Sequence, residues 1–321
     1  MSNQTTRKSK GPFRIMASSL GVTLGVLIGI AILAAIGLQI AISRDGPAVL
    51  SAVDRIAGGT SGAELKAKIA TGDHPEQKLM VWGSDDSSQN ETLRPVLLFV
   101  HGGSWNSGDP ESYGFVGRAF VKQGFIVVLG GYRLGEAGKY PAMIEDTARA
   151  IAWTHEEIEQ YGGDPQNIVI AGHSAGAYNV MMTALQDTWL ARHSLSSNDI
   201  AGVVGLSGPY DFLPLDSEST IASFGHVEEG KALSATQPIN HVNSGAPAKL
   251  LIHGEKDTLV KMRHSRALAG LAGDAGVDVG LELYPEMTHS DPLISIAAPW
   301  RERRDIVQKI SDFVRQQTAS E

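Results

Sequence analysis

Apolar positions along this chain follow two rhythms. Runs of four to six residues, at Pro95–Val100, Phe125–Leu129, Ile168–Ala171, Val203–Leu206, Leu250–His253 and Val279–Tyr284, carry few polar residues and many β-branched ones. That is the pattern of strands buried on both faces of a parallel sheet. Two earlier segments, Leu65–Ala70 and Gln77–Trp82, alternate weakly and read as an opening hairpin of strands. Between the runs the spacing changes to three and four. Asp109-Pro110 caps a helix running to Gln123, closed by Gly124. Pro141 opens a second, with Ile144, Thr147, Ala148, Ile151 and Ile158 on one face and Gly162-Gly163 at its end. Further helices hold Tyr178, Met181, Met182 and Leu185, then Val260–Leu271, then Ile306, Ile310, Phe313 and Val314. Eight strands interleaved with helices predict an α/β fold with a mostly parallel, doubly wound sheet. Gly208–Ala246 is longer than an ordinary connection and has no strong strand, so it is expected over the C-terminal edge of that sheet.

The N-terminal region has neither rhythm. Ile15 to Ser43 contains no charged residue, and Leu20 to Leu38 is apolar almost throughout. Such a run exceeds the ~20 residues a membrane span needs. Arg7, Lys8, Lys10 and Arg14 precede it, and the positive-inside tendency then places the N-terminus in the cytoplasm and the main domain outside. The expected organisation is a basic cytoplasmic tail (1–14), a transmembrane signal anchor (15–43), a linker (44–64) and a catalytic domain (65–317). A cleaved signal peptide is the alternative, with Ala41-Ile42-Ser43 as an imperfect cleavage site. The catalytic domain is then periplasmic or extracellular, or secreted if the segment is cleaved.

Composition narrows the chemistry. The 321 residues suit one globular domain plus an extension. With no cysteine, disulfides, thiolate nucleophiles and zinc–thiolate or iron–sulfur sites are excluded. The net charge of −8 conceals an asymmetry, because residues 1–44 hold five basic side chains and no acid, so the remainder is more acidic still. An acidic domain without basic clusters argues against nucleic acid as a partner. Histidines are scattered and lack i, i+4 pairs with carboxylates suited to a metal, so no metal site is expected.

The organising motif is Gly172-His173-Ser174-Ala175-Gly176, set between the Ile168–Ala171 strand and the helix of Tyr178. A Gly-x-Ser-x-Gly in that context is a sharp turn that lifts the serine hydroxyl above the sheet edge. Serine needs a base, and the base an orienting carboxylate. These should follow later in the chain, beyond the ends of late strands. Leu250–His253 is followed by Gly254-Glu255-Lys256-Asp257, and Val279–Tyr284 by Pro285-Glu286-Met287-Thr288-His289. Ser174, Asp257 and His289 are therefore the expected nucleophile, orienting acid and base. Glu255 is the nearest rival to Asp257, and Asp211 a weaker one. His173 lies inside the turn with its side chain directed away from Ser174, His253 lies in a strand, and His264 lies on a helix; packing accounts for each. After the Pro95–Val100 strand comes His101-Gly102-Gly103-Ser104-Trp105. Its glycines let backbone N–H groups approach a substrate, so Gly103 and Ser104, with Ala175 at the helix start, are the expected oxyanion donors. Trp105, Trp189 and Met181 are candidates for lining the pocket, Trp105 for substrate contact, although aromatic and Met residues at such spacings more often belong to a core.

HGGSW (His101–Trp105), GHSAG (Gly172–Gly176), HGEKD (His253–Asp257) and the late His289 resemble the α/β-hydrolase superfamily. Within it they are similar to serine carboxylesterases related to hormone-sensitive lipase, kynurenine formamidase and the acetylxylan and feruloyl esterases. The similarity spans about Leu65 to Val314 and includes YGGDPQNIVIAGHSAGAY and the EQKLMVW strand. It implies hydrolysis of a small ester through an acyl-enzyme, without a cofactor, using Ser174, His289 and Asp257. A formamide hydrolase using the same residues is an alternative, and a binding domain without catalysis a further one. One position departs from the lipase-like pattern: Ser104 stands where a third glycine is usual. The backbone donor survives that change, but a side chain enters the acyl region.

Overall fold

The computed structural model describes residues 33, 36–37, 39–42, 44–60, 62–84 and 92–319. It divides into two compact units, residues 1–49 and 50–321. The described residues of the first are helical. Most of the 15–43 span expected to cross a membrane lies outside the described residues. Among those described, no helix is long and apolar enough to cross one.

The second unit is built on one eight-stranded sheet: β1 (Glu64–Ala70), β2 (Lys78–Gly83), β3 (Arg94–Val100), β4 (Ile126–Gly130), β5 (Gly163–His173), β6 (Gly202–Leu206), β7 (Lys249–Gly254) and β8 (Val279–Tyr284). Their spatial order is β1-β2-β4-β3-β5-β6-β7-β8. The β1–β2 and β2–β4 pairings are antiparallel and all others parallel, so β2 alone runs against its neighbours. Among the described residues after β1, the α-helices are α1 (Gly114–Val121), α2 (Ala142–Glu157), α3 (Ala175–Leu185), α4 (Asp187–Ala191), α5 (Glu218–Phe224), α6 (Lys231–Ser234), α7 (Arg263–Asp274), α8 (Asp291–Ile294) and α9 (Ile306–Gln317).

The continuous apolar strands are explained by two cores, one on each face. Val96, Leu98, Val100, Ile168 and Ile170 point into one, against α2 and α3 residues such as Ile144, Ile151 and Met181. Their sequence neighbours Leu97, Phe99, Val169 and Ala171 point into the other, with Phe115, Phe120, Ile306 and Ile310 of α1 and α9. This is the period-two alternation of a strand buried on both sides.

Several boundaries differ from the periodic reading, three of them for evident local reasons. The helix expected over 109–123 begins as a 3-10 turn at Pro110–Tyr113 and becomes α only at Gly114. Pro110 can occupy a helix start, and the Asp109 side chain caps Glu111 N–H at 2.9 Å, so the first turn tightens. The elbow strand starts at Gly163, five residues before its apolar run, because Arg94 pairs there with Gly163 before the register shifts. The helix expected from Val260 starts at Arg263, since Val260 N–H is held at 2.8 Å by the Asp257 carboxylate.

A buried ion cluster fastens the helical turn over residues 50–56 to the rest of the unit. Asp54 accepts from Arg118 Nε at 2.7 Å and from Ala298 N–H at 2.9 Å, and also pairs with Arg301. Asp54 is fully buried.

Candidate active site

Parallel strands bring the loops after β3, β5 and β7 to one edge of the sheet, and the segment after β8 joins them. In the turn after β5, Gly172 and Gly176 are required by close approach. A Cβ on Gly172 would lie 2.4 Å from the Gly176 carbonyl carbon, and one on Gly176 would lie 2.2 Å from the Val100 oxygen. Only bare backbone lets α3 start so near β3 and β5. Between them Ser174 is forced to φ 55°, ψ −120°, a strained conformation for a non-glycine residue. Its N–H donates to Leu206 O on β6 at 2.8 Å, which anchors the turn.

The Ser174 hydroxyl lies 2.9 Å from His289 Nε2, and His289 Nδ1 lies 2.7 Å from Asp257 Oδ2. A carboxylate can only accept, so Nδ1 carries the ring proton and Nε2 is free to accept from Ser174. Asp257 Oδ1 takes backbone N–H groups of Leu259 and Val260 at 2.9 and 2.8 Å. Burial alone would raise the Asp257 pKa, but hydrogen bonds from His253 and His289 and the field of His289 outweigh it and hold the carboxyl well below the usual range. Asp257 therefore stays ionised at neutral pH. The rivals fall elsewhere: Glu255 faces Arg266 at 3.6 Å and Asp211 pairs with Arg263 at 3.1 Å.

The loop after β3 is strained as well. Ser104 and Trp105 have φ of 54° and 58°. The loop is tied by Asn106 and Ser107 N–H to Gly103 O at 3.1 Å each, and by Gly135 N–H to Trp105 O at 2.8 Å. Among the described residues, the N–H groups of Gly103, Ser104 and Ala175 donate to no protein acceptor. Ser104, Trp105, Ser174 and Ala175 line one cavity of about 340 Å³. Two free donors, of Ser104 and Ala175, and a serine hydroxyl beside a common space, with Gly103 next to Ser104 in the loop, form a geometry able to hold a tetrahedral oxyanion.

Trp105 contributes to the cavity wall and to the core at once. It is 3% exposed, its Nε1–H donates to Asn179 Oδ1 at 3.1 Å, and its ring meets Tyr178 and Phe224 edge-on. Trp189 and Met181 belong to the core. Phe212, Leu213 and Pro214 also line the cavity, so part of Gly208–Ala246 does lie over the sheet edge.

All three histidines that read as packing residues touch the site, His264 by lining its cavity. His173 is buried, but its Nε2–H donates to the His289 carbonyl at 3.0 Å and the two rings lie 5.0 Å apart. The segment after β8 folds back over the end of β5, a contact across 116 residues that strand alternation does not reveal. Burial, with repulsion from His289 next, lowers its pKa to about 3. His253 Nε2 lies 2.9 Å from Val260 O and 3.2 Å from Asp257 Oδ2, both acceptors, so that nitrogen is protonated. Its Nδ1 then accepts from Ser265 Oγ at 2.8 Å. Its place four residues before Asp257, at a strand end, was the available signal. His264 accepts from Asp211 N–H at 3.1 Å, and burial followed by Arg263 lowers its pKa to about 4. Among the described residues, no three metal-ligating side chains cluster.

Comparisons with known proteins bear on the family and the fold. A family model described as BD-FAE matches residues 86–271. The chain is 32% identical over 253 residues to the esterase LipQ of Mycobacterium tuberculosis, covering 74% of this chain and 59% of that protein. It is 26% identical over 256 residues to the isoprenylcysteine alpha-carbonyl methylesterase ICME of Arabidopsis thaliana, covering 71% and 57%. The chain thus spans less than two thirds of either relative. Among solved structures, a truncated carbohydrate esterase from gut microbiota superposes with a TM-score of 0.69 at 20% identity, covering 81% of this chain and 97% of that one. A thermophilic esterase from Thermogutta terrifontis gives 0.64 at 20% identity, with 80% and 95% covered. Likeness at such identity speaks for the fold.

Proposed function

The chain belongs to the BD-FAE family of the α/β-hydrolase superfamily, and on that footing we propose that it is a serine hydrolase cleaving carboxylic esters through an acyl-enzyme. The observation that carries the proposal is the unbroken relay from Ser174 Oγ to His289 Nε2 at 2.9 Å and from His289 Nδ1 to Asp257 at 2.7 Å, beside the cavity.

In this reading the Ser174 oxygen attacks the ester carbonyl as its proton passes to His289 Nε2. Gly103, Ser104 and Ala175 N–H groups receive the oxyanion, each worth ~3 kcal/mol. Asp257 stabilises the imidazolium without taking a proton. His289 protonates the departing alkoxide, and the alcohol leaves. Water then gives a proton to His289 and attacks the acyl carbon. Collapse returns that proton to Ser174 and releases the acid.

The cavity supports a small acyl group. Its 340 Å³ lies near the lower limit for ligand sites, and Trp105 and Phe212 wall it. Ser217, Ser219, Thr220 and Thr258 line it too, which suits an alcohol moiety rich in hydrogen-bonding groups. The charge-free stretch from Ile15 to Ser43 after a basic cluster supports a membrane anchor with the catalytic unit outside the cytoplasm. Fractionation tests the anchor: the intact chain should require detergent.

The activity itself is tested with p-nitrophenyl esters from acetyl to dodecanoyl, and N-formylkynurenine alongside, on wild type and Ser174→Ala. Turnover of short acyl esters, abolished by the substitution, is expected. Turnover confined to the formamide would replace the ester reading, and turnover by Ser174→Ala would end it.

A further inference from the structure

His289 stands in the connection between β8 and α8, outside regular structure, and so depends on its contacts for position. Its side chain is held at Nδ1 by Asp257. The neighbouring residue is fixed separately, through Thr288 N–H and Oγ1 to Asp291 at 2.8 and 2.6 Å. Among the described residues, the main chain of His289 itself has one tie. Among the described residues, the only donor to its carbonyl is His173 Nε2–H, at 3.0 Å.

His173 is also the residue before the nucleophile, at the end of β5. On its other side lies Gly102, of the loop that carries the oxyanion donors. A Cβ at Gly102 would fall 2.9 Å from the His173 oxygen and 3.1 Å from Nδ1. One imidazole is therefore in contact with the base, adjoins the nucleophile and packs on the oxyanion loop. Since a carbonyl can only accept, the ring must carry its proton on Nε2. Its low pKa keeps it neutral at working pH, so it adds no charge beside His289.

We propose that His173 is a positioning residue, which fixes the His289 main chain to the nucleophile turn through its Nε2–H and so keeps the base within reach of Ser174. The inference rests on the reading of Ser174, His289 and Asp257 as the catalytic groups. Supporting residues of this kind hold reacting groups to within ~0.5 Å, and a 1 Å error costs on the order of a hundredfold in rate.

Three variants separate the hydrogen bond from the volume it occupies. In H173Q the amide nitrogen reaches as far as Nε2 did. In H173N it stops at the Nδ1 position. In H173M the space is filled without a donor. H173M and H173N should lose about 10- to 100-fold in kcat on p-nitrophenyl acetate, with KM within about twofold, while H173Q recovers to within about fivefold. The rate at which a fluorophosphonate labels Ser174 should fall and recover in parallel, because that reaction also needs His289. Circular dichroism checks folding, and if H173M fails to fold, the H173Q and H173N pair carries the same contrast. Folded H173N or H173M with wild-type kcat and labelling overturns the proposal. So does equal impairment of H173Q and H173N. A wild type that neither hydrolyses esters nor takes the label removes the catalytic reading, and this inference with it.

Discussion

Asparagine at position 257 preserves shape and removes charge, and the structure dictates what must follow. The Asp257 carboxylate faces four donors: Leu259 and Val260 N–H at 2.9 and 2.8 Å, His289 Nδ1 at 2.7 Å and His253 Nε2 at 3.2 Å. An amide supplies one accepting oxygen. The backbone donors cannot reorient, so that oxygen takes the Oδ1 place and the amide NH2 faces the two imidazoles. His289 then has to accept at Nδ1, which moves its proton to Nε2, and a protonated Nε2 cannot receive the proton of Ser174. The wrong tautomer in a triad costs about 10⁴ in kcat, equivalent to ~5.5 kcal/mol of barrier. The assay is kcat and KM on p-nitrophenyl acetate for Asp257→Asn, with circular dichroism to confirm folding. KM should change little, because substrate binding does not use this group. A folded variant retaining more than a tenth of wild-type kcat would refute the reasoning and return Asp257 to a structural role.

Three further outcomes are expected. Gly176→Ala places a methyl 2.2 Å from the Val100 oxygen and should cost about 2–4 kcal/mol in urea denaturation; a loss under 0.5 kcal/mol would contradict the close-approach account. Asp54→Ala strands Arg118 and Arg301 and should destabilise by about 3–5 kcal/mol, read as a lower Tm, whereas an unchanged Tm would show the cluster to be dispensable. Acid should also weaken the fold. His173 and His264 resist protonation until about pH 3 and 4, while unfolded imidazoles take a proton near 6.5. Unfolded chains thus bind more protons below pH 6.5, so stability is complete above that value and falls as pH drops towards 4. The depressed Asp257 pKa adds a loss of the same sign below the ordinary carboxylate range. Denaturation midpoints that stay level from pH 7 to 4 would contradict this.

Periodicity made the sheet legible. Every strand expected from an apolar run is present, because a strand buried on both faces has little freedom in composition. Motif position made Ser174, Asp257 and His289 legible as neighbours, since parallel strands must deliver their following loops to one edge. What escaped depends on contacts between distant segments. His173 reads as a packed residue until the segment after β8 is seen to cross it. His253 reads as a strand residue until Asp257 curls back beneath it. Asp54 meets partners 64 and 247 residues away, and no local pattern encodes that cluster. The role of Asn179, which carries the Trp105 ring, depends in the same way on how α3 faces the loop after β3.

The most direct measurement is mass spectrometry of the protein after reaction with a fluorophosphonate. One adduct per chain, mapped to Ser174, absent from Ser174→Ala and formed far more slowly by His289→Ala, is the predicted result. No adduct on the folded wild type, or one that survives in Ser174→Ala, would contradict it.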